Sequence, residues 1–152
     1  QAAGLAEKLA FGVLTDLLQR TESLSGDAFM CCQRLVESPG LPNNMAVDLQ
    51  RWLLRMAGSA VATDPATWNG YVLQPLQVAP NRTAPMGIPL AHVLPANLDF
   101  VIDGQTEDGS WAPSWSWLGA YPKDWALSER EWRGILTLER LEWLHAYDRI
   151  QM

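Results

Sequence analysis

Gln105–Trp125, QTEDGSWAPSWSWLGAYPKDW, is the stretch on which the fold reading turns. It holds four of the chain's eight tryptophans, with two prolines, two glycines and three acids. It lies between two segments that read as helices. A connection of this length inside a compact domain is either functional or disordered. Disordered segments are poor in aromatics, so this composition predicts an ordered, functional loop.

The surrounding chain is helical in pattern. Leu5, Leu9, Val13 and Leu17, with Leu14 and Leu18 beside them, follow helical spacing from Ala2 to about Arg20 and predict one wide buried face. Ser25 is a suitable cap for a second helix over Gly26 to Glu37, which Pro39-Gly40 ends. A third helix starts at Asn43 or Asn44 and runs to about Ala60, with Met45, Leu49, Trp52, Leu53 and Met56 inward. Asp64 to Ala84 is an irregular, proline-stiffened segment pinned by Trp68, Tyr71, Leu73 and Leu76. A short helix over Met86 to Leu94 follows, then one from Pro95 that stops at Gly104.

After the aromatic stretch, Ser128-Glu129-Arg130-Glu131 has the form of a capping box, which predicts a helix start there and an end near Tyr147. Ile135, Leu138 and Leu141, with Trp132, share one face; Leu136, Trp143, Leu144 and Tyr147 widen it enough to predict burial on more than one side. Gly134, a poor helix former, predicts a close backbone neighbour. No segment alternates with a strand's period of two. The expectation is one all-α domain over residues 1–152.

Bulk properties narrow the function. The 152 residues are 48% apolar and 18% charged, which suits a soluble globular class with a real core. A net charge of −6 argues against a nucleic-acid partner, which requires a basic face. No apolar run reaches the roughly 18 residues of a transmembrane helix. No leader pattern is present, and the cytoplasm is the default location. Cys31 and Cys32 are adjacent, a poor arrangement for a structural disulfide, and match no zinc pattern; no metal or cofactor is expected. His92 and His145 are far apart. Asn81-Arg82-Thr83 fits a glycosylation acceptor, read as a chance match in a proline-rich loop.

One resemblance adds to this reading. Ala96, Phe100, Val101, Gln105, Gly109 and Trp111 agree in identity and spacing with the QW repeat of squalene and oxidosqualene cyclases. Pro95 departs from it, since the repeat prefers Lys or Arg there. The match covers the segment from Ala96 to Trp111, and nothing upstream repeats it. The resemblance implies an α/α toroid, with inner and outer rings of helices around an apolar cavity. This chain would supply part of such a ring, the remainder coming from a missing N-terminal half or a second chain. Gln105, Gly109 and Trp111 are then scaffold residues: Gln105 binds backbone at a helix end, Trp111 packs over it, and Gly109 allows a turn closed to other residues.

The chemistry that the resemblance implies is acid-initiated cyclisation of an isoprenoid or other apolar small molecule. The family's Asp-x-Asp-Asp motif is absent, as is the Asp-Asp-rich motif of metal-dependent terpene synthases. At the matching inner-helix start stands Glu131, the candidate catalytic acid, which also completes the capping box. Trp115, Trp117, Tyr121 and Trp125 are the candidate substrate-binding residues, because ring faces stabilise a cation without acting as a base. Asp99, Asp103, Glu107, Asp108 and Asp124 read as surface or turn acids. The alternative is a non-catalytic binding or assembly module that keeps the toroid and lacks the acid motif. A helical carbohydrate enzyme is a third reading, which needs two carboxylates about 5 to 10 Å apart across a cleft.

Overall fold

The computed structural model of the chain describes residues 2–22 and 24–151, with side chains from residue 11 onward. Among the described residues the secondary structure is helical throughout, without a strand. The chain divides into two compact units, Gln1–Val61 and Ala62–Met152.

The first unit contains α1 (Ala2–Gln19), α2 (Gly26–Val36) and α3 (Asn43–Ala60). Ser25 caps α2 as its sequence predicts, its hydroxyl accepting from the Ala28 N–H at 3.3 Å. α3 packs against both other helices. Its buried residues Met45, Leu49, Trp52, Leu53 and Ala57 follow helical spacing, and Met56 is half-buried. Phe29 of α2 and Leu14 of α1 complete this core. The Trp52 indole donates to the Arg20 carbonyl at 3.4 Å, tying α3 to the end of α1. On α1 the inward position is Leu14, whereas Val13 is exposed. Apolar residues occupy adjacent positions there, so spacing alone left the rotation of the helix open. The side chains of Leu5 and Leu9 lie outside the described residues.

The second unit opens with irregular chain. A 3₁₀ turn at Pro65–Thr67 is capped by Asp64, which accepts from the Ala66 N–H at 3.0 Å. Trp68, buried, donates to the Ala62 carbonyl at 2.8 Å and stands edge-on to Phe100, ring centres 5.3 Å apart. Leu73 and Leu76 are buried as expected, whereas Tyr71 is exposed. Short helices α4 (Pro75–Val78) and α5 (Gly87–Leu90) follow, the latter briefer than the Met86 to Leu94 expected. Then come α6 (Leu94–Asp103), ended by Gly104, and α7 (Pro122–Ala146).

Asn97 of α6 is fully buried and joins these pieces. Its side-chain oxygen accepts from the Leu76 N–H at 3.1 Å and its amide donates to Gln74 at 3.2 Å. A buried amide without such partners would cost about 1–3 kcal/mol, so Asn97 locks α4 onto α6.

α7 departs from expectation at its start. It begins at Pro122, with Tyr121 before it in a left-handed conformation at φ 49°. Proline is favoured in a first helical turn, and Lys123 to Leu127 contains no breaker. The Ser128–Glu131 pattern therefore lies inside the helix. Only Leu136, Trp143 and Leu144 of this helix are fully buried; Ile135 and Leu138 are 54% and 61% exposed.

Candidate functional site

The site is built outward from the end of α6. The Gly104 N–H bonds the Phe100 carbonyl at 3.1 Å, closing the helix, and the chain turns through 105–110. Thr106 N–H bonds the Ser110 carbonyl at 2.9 Å, and Gly109 N–H bonds the Thr106 carbonyl at 2.8 Å. Gly109 stands at φ +82°, a conformation L side chains seldom adopt. Gln105 donates through Nε2 to the Gly109 carbonyl at 2.9 Å. It therefore braces its own turn instead of binding a helix end. The helix-end role belongs to Trp111, whose indole N–H bonds the Val101 carbonyl of α6 at 2.7 Å while the ring is buried.

Asp108, read from sequence as one turn acid among several, proves central to this clasp. Its Oδ1 accepts from the Thr106 hydroxyl at 2.6 Å, the Ser110 hydroxyl at 2.7 Å and the Ser110 N–H at 3.0 Å. Those bonds, first from Thr106 and then from Ser110, hold its carboxyl well below the usual carboxylate range, and Arg133 adds to the effect. Arg133 of α7 reaches Ser110 Oγ at 2.8 Å and Asp108 Oδ2 at 3.4 Å. The Trp111 N–H bonds Thr137 Oγ1 at 3.3 Å. The turn thus joins α6 to the middle of α7. A Thr-x-Asp-x-Ser pattern is the sequence signal for such an Asx-type turn, and it was there to be read.

Beyond the clasp, the candidate aromatics pair with one another. Trp115 stands edge-on to Trp132, centres 5.3 Å apart at 82°, and Trp117 tilts against Trp125 at 5.4 Å. Trp125 lies in α7, not in the loop. Tyr121 joins neither pair and is 72% exposed. Leu118 and Gly119 also have positive φ, 51° and 84°, and the Leu118 side chain is 95% exposed. Segment 112–121 therefore runs against the start of α7 on two tryptophan pairs and turns an apolar tip to solvent.

Glu131 is exposed, so water surrounds the candidate acid. The acid that burial does perturb is Glu139, two turns further along α7. Burial pushes its carboxyl up, Arg140 opposes this, and Glu142 adds to it. Arg140 carries a buried Nη1 without a hydrogen-bond partner among the described residues. Nothing in the sequence singled out Glu139, because its half-burial depends on how α7 is rotated. Asp99, exposed, is ion-paired with Arg149. His92 and His145 are exposed.

A groove of about 360 Å³ occupies another part of this unit, lined by Ile88, Ala91, Leu94 and Leu98 with Arg82 and Tyr147 at its polar end. None of Trp115, Trp117, Tyr121 and Trp125 lines it. Its polar groups are spent internally: Arg82 pairs with Asp148 at 2.8 Å, and the Tyr147 hydroxyl lies 2.9 Å from the Ala79 carbonyl. Among the described residues no group of three or more His, Cys, Asp and Glu is placed to hold a metal ion. No helix among them is long and apolar enough to cross a membrane.

No protein-family model matches the chain, and no curated protein and no solved structure matches it.

Proposed function

We propose that this chain is a binding and assembly module of the α/α-toroid type, in which α6, the clasp and α7 form one outer helix–turn–inner helix repeat. The observation that carries this reading is the pairing of Trp115 with Trp132 and Trp117 with Trp125. The rings meet each other, and none of these tryptophans lines the groove beside Tyr147. Leu118, Tyr121, Ile135 and Leu138 meanwhile remain turned to solvent. Exposed apolar residues grouped along one helix and its leading loop are what an interaction surface presents. The partner is a further helical surface, of the kind that lies on both sides of an inner helix in a helical ring.

Acid-initiated cyclisation of an isoprenoid is the second reading, supported by the Trp111–Val101 bond at a QW-like position. Alkene protonation needs an acid kept protonated in a dry site. Exposed Glu131 does not have that environment.

One pair of measurements tests both readings. A fluorescent helical peptide of about five turns, with leucine along one face, is expected to bind the chain. A Leu118→Asp/Ile135→Asp variant with unchanged circular dichroism should bind at least tenfold more weakly, about 1.4 kcal/mol. Equal binding by the variant would refute the module reading. Incubation with linear isoprenoids should leave them unchanged; turnover lost in Glu131→Gln would establish the cyclase instead.

A further inference from the structure

α7 is a continuous helix, so its faces follow from a turn of about 100° per residue. Asp124, Leu127, Glu131, Ile135, Leu138 and Glu142 all project within a sector of about 80°, directly opposite buried Leu136, Trp143 and Leu144. Leu127, Ile135 and Leu138 are 51%, 54% and 61% exposed, and the three acids are exposed as well. Among the described residues none of these acids takes part in an ion pair, whereas Asp99, Asp108 and Asp148 of the same unit do. His145, at the last turn, is the only other ionisable group in the sector. Beside Ile135 and Leu138 sits Gly134, where an added Cβ would meet nothing within 4 Å. The close backbone neighbour expected at Gly134 is therefore not found among the described residues.

An aliphatic stripe, a glycine that admits close backbone approach, and carboxylates as the charged groups along the stripe together specify one kind of occupant. We propose that this face of α7 docks a basic amphipathic helix, which packs its aliphatic side chains between Leu127, Ile135 and Leu138 and sets Lys or Arg against Glu131 and Glu142. The two glutamates are about 16 Å apart along the axis, three turns of a partner helix. A second copy of the chain fits poorly. A two-fold pairing apposes the same face to itself, and its carboxylates would lose water without gaining a base. This inference rests on the module reading and names the partner's chemistry.

The test uses two labelled peptides of about five helical turns, both with leucine on one face, one flanked by lysine and the other by glutamate. The lysine peptide is expected to bind at least tenfold more tightly than the glutamate peptide, with affinity falling as salt rises. Glu131→Lys/Glu142→Lys should invert that preference. Asp103→Lys/Glu107→Lys, an equal charge change at exposed positions on other elements, should leave it within about twofold. Equal binding of both peptides, or equal loss in the control variant, overturns the inference and leaves the module reading standing. Binding of neither peptide overturns both. Sedimentation of the chain as a dimer that Ile135→Asp dissociates, without peptide binding, assigns the face to a second copy and also overturns the inference.

Discussion

At Gly109 the backbone stands at φ +82°, and the nearest atom to an added Cβ is Gln105 Nε2 at 3.9 Å. Space is therefore not the obstacle to a side chain there; conformation is. Gly109→Ala should cost about 1–2 kcal/mol, the usual penalty for a left-handed L residue, read as a lower midpoint in urea with unchanged slope. An unchanged midpoint would show that the turn relaxes and that the clasp is not held by this torsion. The neighbouring positions show what sequence does and does not reveal at this scale. Gln105, Gly109 and Trp111 are legible as a set because their spacing is specific. Their bonds are not: Gln105 binds the Gly109 carbonyl and Trp111 the Val101 carbonyl, the reverse of the expected division. Which donor reaches which carbonyl depends on the turn's path, and that path is set by Asp108 gathering Thr106 and Ser110.

α7 shows the same contrast at the scale of an element. Its existence and C-terminal end follow from its pattern, but its start lies at Pro122, and its inward face is Leu136, Trp143 and Leu144. A helix with apolar residues on several sides does not declare its rotation; the Arg133 bridge to Asp108 and Ser110 and the Thr137 bond to Trp111 select it. That rotation brings Glu139 into partial burial. Its folded pKa is raised, so the protonated form is favoured by folding. The associated stability is fully present below the unfolded value near 4.5 and is lost as pH rises through the folded value. Glu139→Gln should therefore raise Tm at pH 7, with the gain shrinking towards zero as pH falls below 4.5. A pH-independent gain would place its origin in packing, not ionisation.

For the whole molecule, the division into Gln1–Val61 and Ala62–Met152 has a direct consequence. The second unit has its own buried set, including Trp68, Leu76, Met86, Leu90 and Leu98, and its own buried polar lock at Asn97. Each fully buried large apolar side chain contributes about 1.5–3 kcal/mol. A polypeptide of residues 62–152 should thus be helical by circular dichroism and melt in one cooperative transition. A shallow, non-cooperative melt would show that this unit needs the first to fold.

Helical class, the ends of α2, α3 and α6, and a specific Gln…Gly-x-Trp turn were determined by sequence alone, because each depends on local caps, breakers and spacing. Tertiary structure decided which side of α1 and α7 is buried, that the tryptophans of 115–125 pair with one another and with Trp132, and that Glu131 is exposed while Glu139 is half-buried. The physical reason is the same in each case. Burial is a relation between elements distant in sequence, and a helix rich in apolar residues on all sides leaves that relation open until its partners are in place.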